Sequence, residues 1–490
     1  MSRAETRTCP TTIRAAHRYE VVNAVNRPKI VGARFHFIGV GGVGMSGLAQ
    51  FLIEKHAIVT GSDQAGGAAT ARLARGGARI HIGHRAENIG PDTEIVVVSA
   101  AVRQDNPELQ QAVRQGCRVV KYAQLLGDLM DHFQGIAVSG THGKSTTSGW
   151  LAYGLRQVGV DVNFLVGADI GQLGASSGSG DSGFFVAEAC EYDRSFLNLK
   201  PQIACILNIE ADHLDCYRDE ADIVDAFHQF AWGTRPDGLI VANGQDANVA
   251  KVIERLGGQR RIVTFGFGAR CTFHPRNVKP HGGSYRFDVY QDGQRLGSTF
   301  LSVPGRHNIL NALAVVAVAV NIGVEPEAIL SMLNRFTGVD RRLMLKGQVN
   351  GVTVLDDYAH HPTEIRAGLK AIREKYHPRR LWCVYQAHQY SRTRVFLDAF
   401  AASFGQADKA IIPEIYFVRD SEGSRSEVNA EILADRIRAE GTDAEYIGTF
   451  DAVCDCLEKE LGPGDLVVTM GAGDIWKVAD EYLRRLGGNR

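Results

Sequence analysis

The sequence predicts an α/β protein of several domains, and three observations carry that prediction. At 490 residues the chain exceeds what one hydrophobic core organises, which points to two to four domains. Two separate stretches, starting at Phe35 and at Ile136, read as a buried strand, a glycine-rich loop and a helix. Other short apolar runs end in polar clusters, as strands of an open α/β sheet do where ligands gather beyond their carboxyl ends.

Length and composition leave a multidomain enzyme as the default class. Lys plus Arg (54) nearly balance Asp plus Glu (55), so no overall field favours nucleic acid or an anionic membrane, and neither is expected as a partner. The 54 glycines are dispersed, as tight strand-to-helix turns require. The nine cysteines lack metal-ligand spacing, because Cys454-Asp-Cys456 is too tight for a zinc pair, and they read as reduced thiols. No run reaches the roughly 20 apolar residues of a membrane span, and the start lacks a signal-peptide core, so a cytoplasmic protein is expected.

Residues 1–32 read as an extension, with a short amphipathic helix at 13–25. A strand at Phe35 to Ile38 then feeds Gly39-Val-Gly-Gly-Val-Gly44, a helix from Met45 to Lys55, a strand from Ala57 to Thr60, and Asp63. This is a Rossmann-like start whose glycines bring backbone to a diphosphate, either a dinucleotide or a nucleotide sugar. A strand at Ile95 to Ser99 and a helix ending near Gly116 continue the pattern.

The strand Ile136 to Val138 leads into Ser139-Gly140-Thr141-His142-Gly143-Lys144-Ser145-Thr146-Thr147. Glycines admit a phosphate close to the backbone, the helix N-terminus favours its charge, and Lys144, on a loop read as solvent-facing, adds a point charge. Ser145 is placed to reach a magnesium ion on that phosphate. The spacing departs from the general P-loop pattern, since Val138 stands where the first glycine would be.

A Gly/Ser-rich stretch, 171–183, reads as an exposed loop. The strand Phe184 to Ala187 ends in Glu188-Ala-Cys-Glu-Tyr-Asp193, and Ile203 to Leu207 ends in Asn208-Ile-Glu-Ala-Asp-His213. Glu188 and His213 are candidate metal ligands; the alternatives are a strand-end acid and a hydrogen-bonded loop histidine. Alternating strands from Phe265 to Phe300 suggest an antiparallel excursion. It ends at Gly305-Arg-His-Asn308-Ile-Leu-Asn311, where Asn311 starts a helix and either caps it or faces a cleft. Phe336 to Arg342 reads as a hinge. A third α/β unit follows, with strands at Val352 to Leu355, Leu381 to Tyr385 and Asp465 to Met470.

Five ordered stretches, Gly140-Thr-His-Gly-Lys-Ser, Glu188-Ala-Cys-Glu-Tyr-Asp, Asn208-Ile-Glu-Ala-Asp-His, Gly305-Arg-His-Asn-Ile-Leu-Asn and Asp356-Asp-Tyr-Ala-His-His-Pro, together resemble the Mur ligase family from about Ala33 onward. The resemblance implies three domains: a Rossmann-like UDP-sugar domain (33–132), a central P-loop ATP domain (133–339) and a Rossmann-like amino-acid domain (340–490). It is nearest the branch that joins L-alanine to UDP-N-acetylmuramate with ATP and magnesium. By that resemblance Gly39, Gly41, Gly42, Val43 and Gly44, with Asp63 and Ser99, hold the UDP-sugar. Gly140, Thr141, His142, Gly143, Lys144, Ser145 and Thr146 hold ATP together with Asn208, Asn308, Asn311, Arg341 and Asp356. Ser145, Glu188 and His213 hold metal, Lys144 is catalytic, and Tyr358, His361 and Arg392 handle the alanine, with His361 or His213 accepting its amine proton.

The chain departs from the family pattern in three places. Ser145 replaces a common Thr, Ala387 and Gln389 fall where Pro-His-Arg is frequent, and the extension lies outside the match. The absence of lysine between Pro201 and Ala250 agrees with a branch that uses no carbamylated lysine beside its metal. Rival expectations are a ligase that adds a whole peptide to the same sugar, a dinucleotide-dependent oxidoreductase, and a regulator that only binds the UDP-sugar.

Overall fold

The computed structural model describes residues 30–487 except 419 and 421, so the extension and its expected helix at 13–25 lie outside the described residues. Among the described residues the main strands build three sheets, of five, ten and six strands. The first is wholly parallel and centred on Arg34–Ile38, which pairs with Ile58–Asp63 on one side and Ile95–Val98 on the other. The second is centred on Gln134–Ser139, flanked in parallel by Ile203–Ile206 and Phe184–Glu188. Its far edge is the expected antiparallel excursion, Phe273–His281, Ser284–Gln291 and Gln294–Phe300. The third runs parallel through Val352–Asp357, Leu466–Met470 and Leu381–Tyr385, with an antiparallel edge strand, Met344–Val349, placed before the first strand read from sequence. No helix among the described residues is long and apolar enough to cross a membrane.

Packing joins these units unequally. One apolar cluster runs from the first sheet into the second, and Phe51 stacks on Phe185 at 5.2 Å between ring centres. The third unit keeps two clusters of its own, drawn from Leu343 onward. Several of its contacts with the central unit are polar, among them Tyr285 Oη to Glu374 at 2.8 Å. The first two units thus share a core, and polar interactions help to seat the third.

Two sequence expectations fail here for physical reasons. The stretch 171–183 is not merely an exposed loop, because Ala175–Gly178 forms an edge strand against Asn163–Ile170 and is largely buried. Its small residues admit the helix Val43–Glu54, where a Cβ on Gly47 would lie 3.0 Å from Leu165 and 3.3 Å from Ser176 Oγ. Asn311 neither starts nor caps its helix, which spans His307–Asn321. The Asn308 amide turns back to the Pro304 carbonyl at 2.6 Å, so the turn begins earlier and places Asn311 inside the helix.

Candidate functional site

The Lys144 loop emerges between two neighbouring parallel strands, at the carboxyl edge of the central sheet. Gly140 (φ +150°) and Gly143 (φ +83°) take backbone conformations that disfavour side chains. A Cβ on Gly143 would also meet Asn311 Oδ1 at 2.8 Å. Asn208 clamps the loop, accepting from the His142 N–H at 2.8 Å and donating to the His142 carbonyl at 3.0 Å. Thr141 Oγ1 accepts from the Glu210 N–H at 2.9 Å. These bonds fix the loop without using the N–H groups at the helix start.

Lys144 is not solvent-facing. Its ammonium donates to the Gly140 and Thr141 carbonyls at 2.6 and 3.1 Å and meets Glu191 at 2.9 Å, with 13% of the side chain exposed. Burial alone would lower its pKa, but the Glu191 carboxylate outweighs burial and holds it above the ordinary lysine range. Glu191 in turn lies 3.6 Å from His213 Nε2. It therefore joins the loop lysine to the histidine of the neighbouring strand end.

A cavity of about 330 Å³ opens beside the loop and is closed by the third unit. Among its lining residues are His142, Gly143, Thr146, Asn208, Asn308 and Asn311 from the central unit, and Leu343, Asp357, Thr363 and Glu364 from the third. Its size and its apolar walls, which include Phe265, Val303 and Leu310, suit the base and sugar of a nucleotide. Arg341 and Asp356 are committed to each other at 2.9 Å, with Arg341 also donating to the Gly471 carbonyl at 2.8 Å and Thr469 to Asp356 at 2.7 Å. Their neighbours Arg342 and Asp357 reach the cavity. Burial raises the Asp357 carboxyl to about 6 despite the nearby Arg342.

Glu188 accepts from the Gly167 N–H at 2.8 Å and borders a second cavity of about 210 Å³, shared with Gly44, Tyr122 and Cys190. This space connects the first glycine loop to the central sheet. In that loop Gly39 donates to the Ser62 carbonyl and Gly41 to the Asp63 carboxylate, each at 2.8 Å, while Val43 opens the helix and is exposed. Gly42 immediately precedes that helix, and the Ser99 N–H bonds the Ile38 carbonyl at 3.1 Å on the adjacent strand.

A magnesium ion takes oxygen donors. The Ser145 hydroxyl in the first helical turn and the Glu188 carboxylate offer them. His213 fits less well, since Arg392 donates to its Nδ1 at 3.3 Å and its Nε2 faces Glu191.

The amino-acid residues read from sequence sit on the third unit's face towards the Lys144 loop. Tyr358 lies beneath the Arg341 and Arg342 guanidinium groups, at 5.0 and 5.4 Å. His361 caps the helix Pro362–Tyr376: its Nδ1 accepts from the Thr363 N–H at 3.3 Å and its Nε2 donates to the Ala211 carbonyl at 3.2 Å. Burial, reinforced by the His142 cation, lowers its pKa. Arg392 reaches across to Asp212.

Sequence reading missed Glu191, Glu210, Asp212, Arg342 and Glu364 as site residues. Three of them, Glu191, Glu210 and Asp212, stood inside quoted motifs, one to three positions from a residue that was chosen. For those three the signal was available in their position after strand ends, but their partners Lys144, His142, Thr363 and Arg392 come from distant loops and helices.

Comparisons with known proteins cover the same three units. Residues 34–134 match the Mur ligase family catalytic domain, 138–319 the Mur ligase middle domain, and 341–473 the Mur ligase glutamate ligase domain. The chain is 41% identical to a UDP-N-acetylmuramate–L-alanine ligase of Acetivibrio thermocellus over 92% of its own length and 95% of the relative's. It is 42% identical to a protein of that name from Geobacter sp. strain M21, over 92% and 97%. Among solved structures it resembles UDP-N-acetylmuramate–alanine ligase of Thermotoga maritima (TM-score 0.78, 27% identity, 92% and 98% covered). It also resembles a murein peptide ligase of Psychrobacter arcticus (TM-score 0.70, 26% identity, 93% and 99% covered).

Proposed function

The chain belongs to the Mur ligase family, and from that premise we propose that it joins L-alanine to the lactyl carboxylate of UDP-N-acetylmuramate with ATP, in peptidoglycan precursor synthesis in the cytoplasm. We divide it at residues 132 and 339 into UDP-sugar, ATP and amino-acid domains. The observation that carries the reading is the cavity beside Lys144, walled on one side by the phosphate loop and on the other by the domain that bears Tyr358, His361 and Arg392.

ATP lies in that cavity with its phosphates at the Lys144 loop, and the sugar's carboxylate reaches the loop from the side of Gly44 and Glu188. Carboxylate oxygen is a poor leaving group, so it attacks the γ-phosphorus, ADP departs, and an acyl phosphate forms. The alanine amine, freed of one proton, adds to the acyl carbon, and the tetrahedral intermediate collapses with loss of phosphate. Lys144 faces the charge that develops on the transferred group. Magnesium, held by Ser145 and Glu188 when bound, supplies further neutralisation at the phosphate oxygens. His361 or His213 accepts the amine proton, and either must first give up a present contact, His361 with Ala211 or Thr363 and His213 with Arg392 or Glu191.

The test is ADP release with each component omitted in turn. Sustained release should require UDP-N-acetylmuramate, magnesium and L-alanine together. Faster turnover with an L-alanyl-D-glutamyl peptide would move the assignment to a peptide-adding ligase, and NADH oxidation without ATP would overturn it.

A further inference from the structure

Glu364 lies in the first turn of the helix Pro362–Tyr376, on the third unit, with a tenth of its side chain exposed. Its carboxylate meets His142 Nδ1 of the phosphate loop at 3.3 Å and Arg342 Nη1 at 3.2 Å. His142 bonds through its other nitrogen to Glu210 at 2.8 Å, and the second Glu210 oxygen accepts from Thr363 Oγ1 at 2.7 Å. His142, Glu210, Thr363 and Glu364 therefore close a ring, with two members on each side of the boundary. Beneath it Asn208 holds the His142 backbone at both its N–H and its carbonyl. Residue 142 is thus fixed by its backbone to the central sheet and by its side chain to both units, two residues before Lys144.

Stability alone gives little reason for this arrangement, because a buried ion pair is often no better than apolar residues of the same volume. Charged partners buried at a domain boundary do specify one docking geometry. His142 and Glu364 also both line the nucleotide cavity, so their geometry is registered where the phosphates enter.

We propose that Glu364 is a positioning residue for phosphoryl transfer: through His142 it holds the phosphate loop in its reactive shape only while the third domain is seated. The inference rests on ATP occupying the cavity, as read above.

The test compares wild type with Glu364→Gln, His142→Gln and the double variant, each close in size to the original. Steady-state ADP release is measured alongside hydrogen exchange of the amides of residues 139–147, with and without a non-hydrolysable ATP analogue. Each single variant should lower kcat at least about tenfold and leave the apparent KM for L-alanine within about twofold. The double variant should lose less than the product of the two single losses, since both remove the shared Glu364–His142 contact. The analogue should protect the loop amides of Glu364→Gln at least about fivefold less than those of wild type. The proposal is overturned if Glu364→Gln keeps kcat within about threefold of wild type, if the two losses multiply, or if loop protection is unchanged. A wild-type chain that releases no ADP would fail the ligase reading instead, and the exchange comparison would still decide the clasp.

Discussion

Arg392 of the third domain donates to the carboxylate of Asp212 in the central domain, and the same guanidinium nitrogen lies 3.3 Å from His213 Nδ1. Both side chains of the pair are almost sequestered, at 7% and 5% exposed. Burial alone would push the Asp212 carboxyl up, but Arg392, then His213, hold it well below the ordinary carboxylate range. A guanidinium suited to an amino-acid carboxylate is therefore already engaged by a protein carboxylate. Asp212 either orients Arg392 for the substrate or is displaced by it.

The two roles separate kinetically. Arg392→Lys loses the planar fork that matches a carboxylate, and it should raise the apparent KM for L-alanine at least about tenfold while that for ATP stays within about threefold. Equal increases for both substrates would assign Arg392 to domain pairing with Asp212 alone.

Lys144→Ala should lower kcat more than about a hundredfold, as expected when a main transition-state charge contact is lost. It also strands the Glu191 carboxylate, 3% exposed, without its cation. Breaking a buried pair on one side costs about 3–5 kcal/mol, so the melting temperature should fall. Lys144→Ala combined with Glu191→Gln should recover the melting temperature and not the activity. Recovery of neither, or of both, would contradict the assignment of Lys144 to phosphate and Glu191 to holding it.

The His142 imidazole gives a pH dependence of defined sign. Burial would lower its pKa, but the hydrogen bonds it donates to Glu210 and Glu364 outweigh burial and raise it from 6.5 to about 9. A basic group raised on folding stabilises fully below its unfolded value and stops doing so as pH rises through its folded value. The wild-type melting temperature should therefore exceed that of His142→Gln by about 2–4 °C near neutrality, for each kcal/mol the ion pair contributes. That margin should vanish above about pH 9. A margin that is constant across the range would mean that the imidazole is neutral in the fold.

Much of the architecture was legible because its signals are local. Glycines after apolar strands marked both strand-to-helix loops, and the acids and histidine of residues 188–213 fell after strand ends, where an α/β sheet collects ligands. What escaped depends on contacts between distant segments. Ala175–Gly178 resembles a loop in composition, and only the approach of the Val43–Glu54 helix makes its small side chains a packing surface. Glu364 looks like an ordinary first-turn acid until His142 is brought to it from another domain. Which of two adjacent residues lines the cavity was equally out of reach: Asp356 and Asp357 point to opposite faces of their strand, which the sheet register decides, and Arg341 and Arg342 lie in the turn before the edge strand.

Gly127 tests the shared core of the first two domains. It lies within the helix Tyr122–Met130 of the first domain, where Ala is intrinsically the better helix former by about 1 kcal/mol. On an isolated helix, Gly127→Ala should thus stabilise. Here the added Cβ would fall 3.1 Å from the Asn198 carbonyl carbon and closer still to its oxygen, on the backbone of the central domain. Backbone cannot rotate aside as a flexible side chain can, so overpacking at a cost of about 1–3 kcal/mol should exceed the propensity gain. The variant should melt earlier than wild type, and exchange should rise at the amides of the helix Tyr122–Met130 and of residues 192–198 while the third domain stays protected. A variant that melts later would mean that this helix rests on the central domain with room to spare.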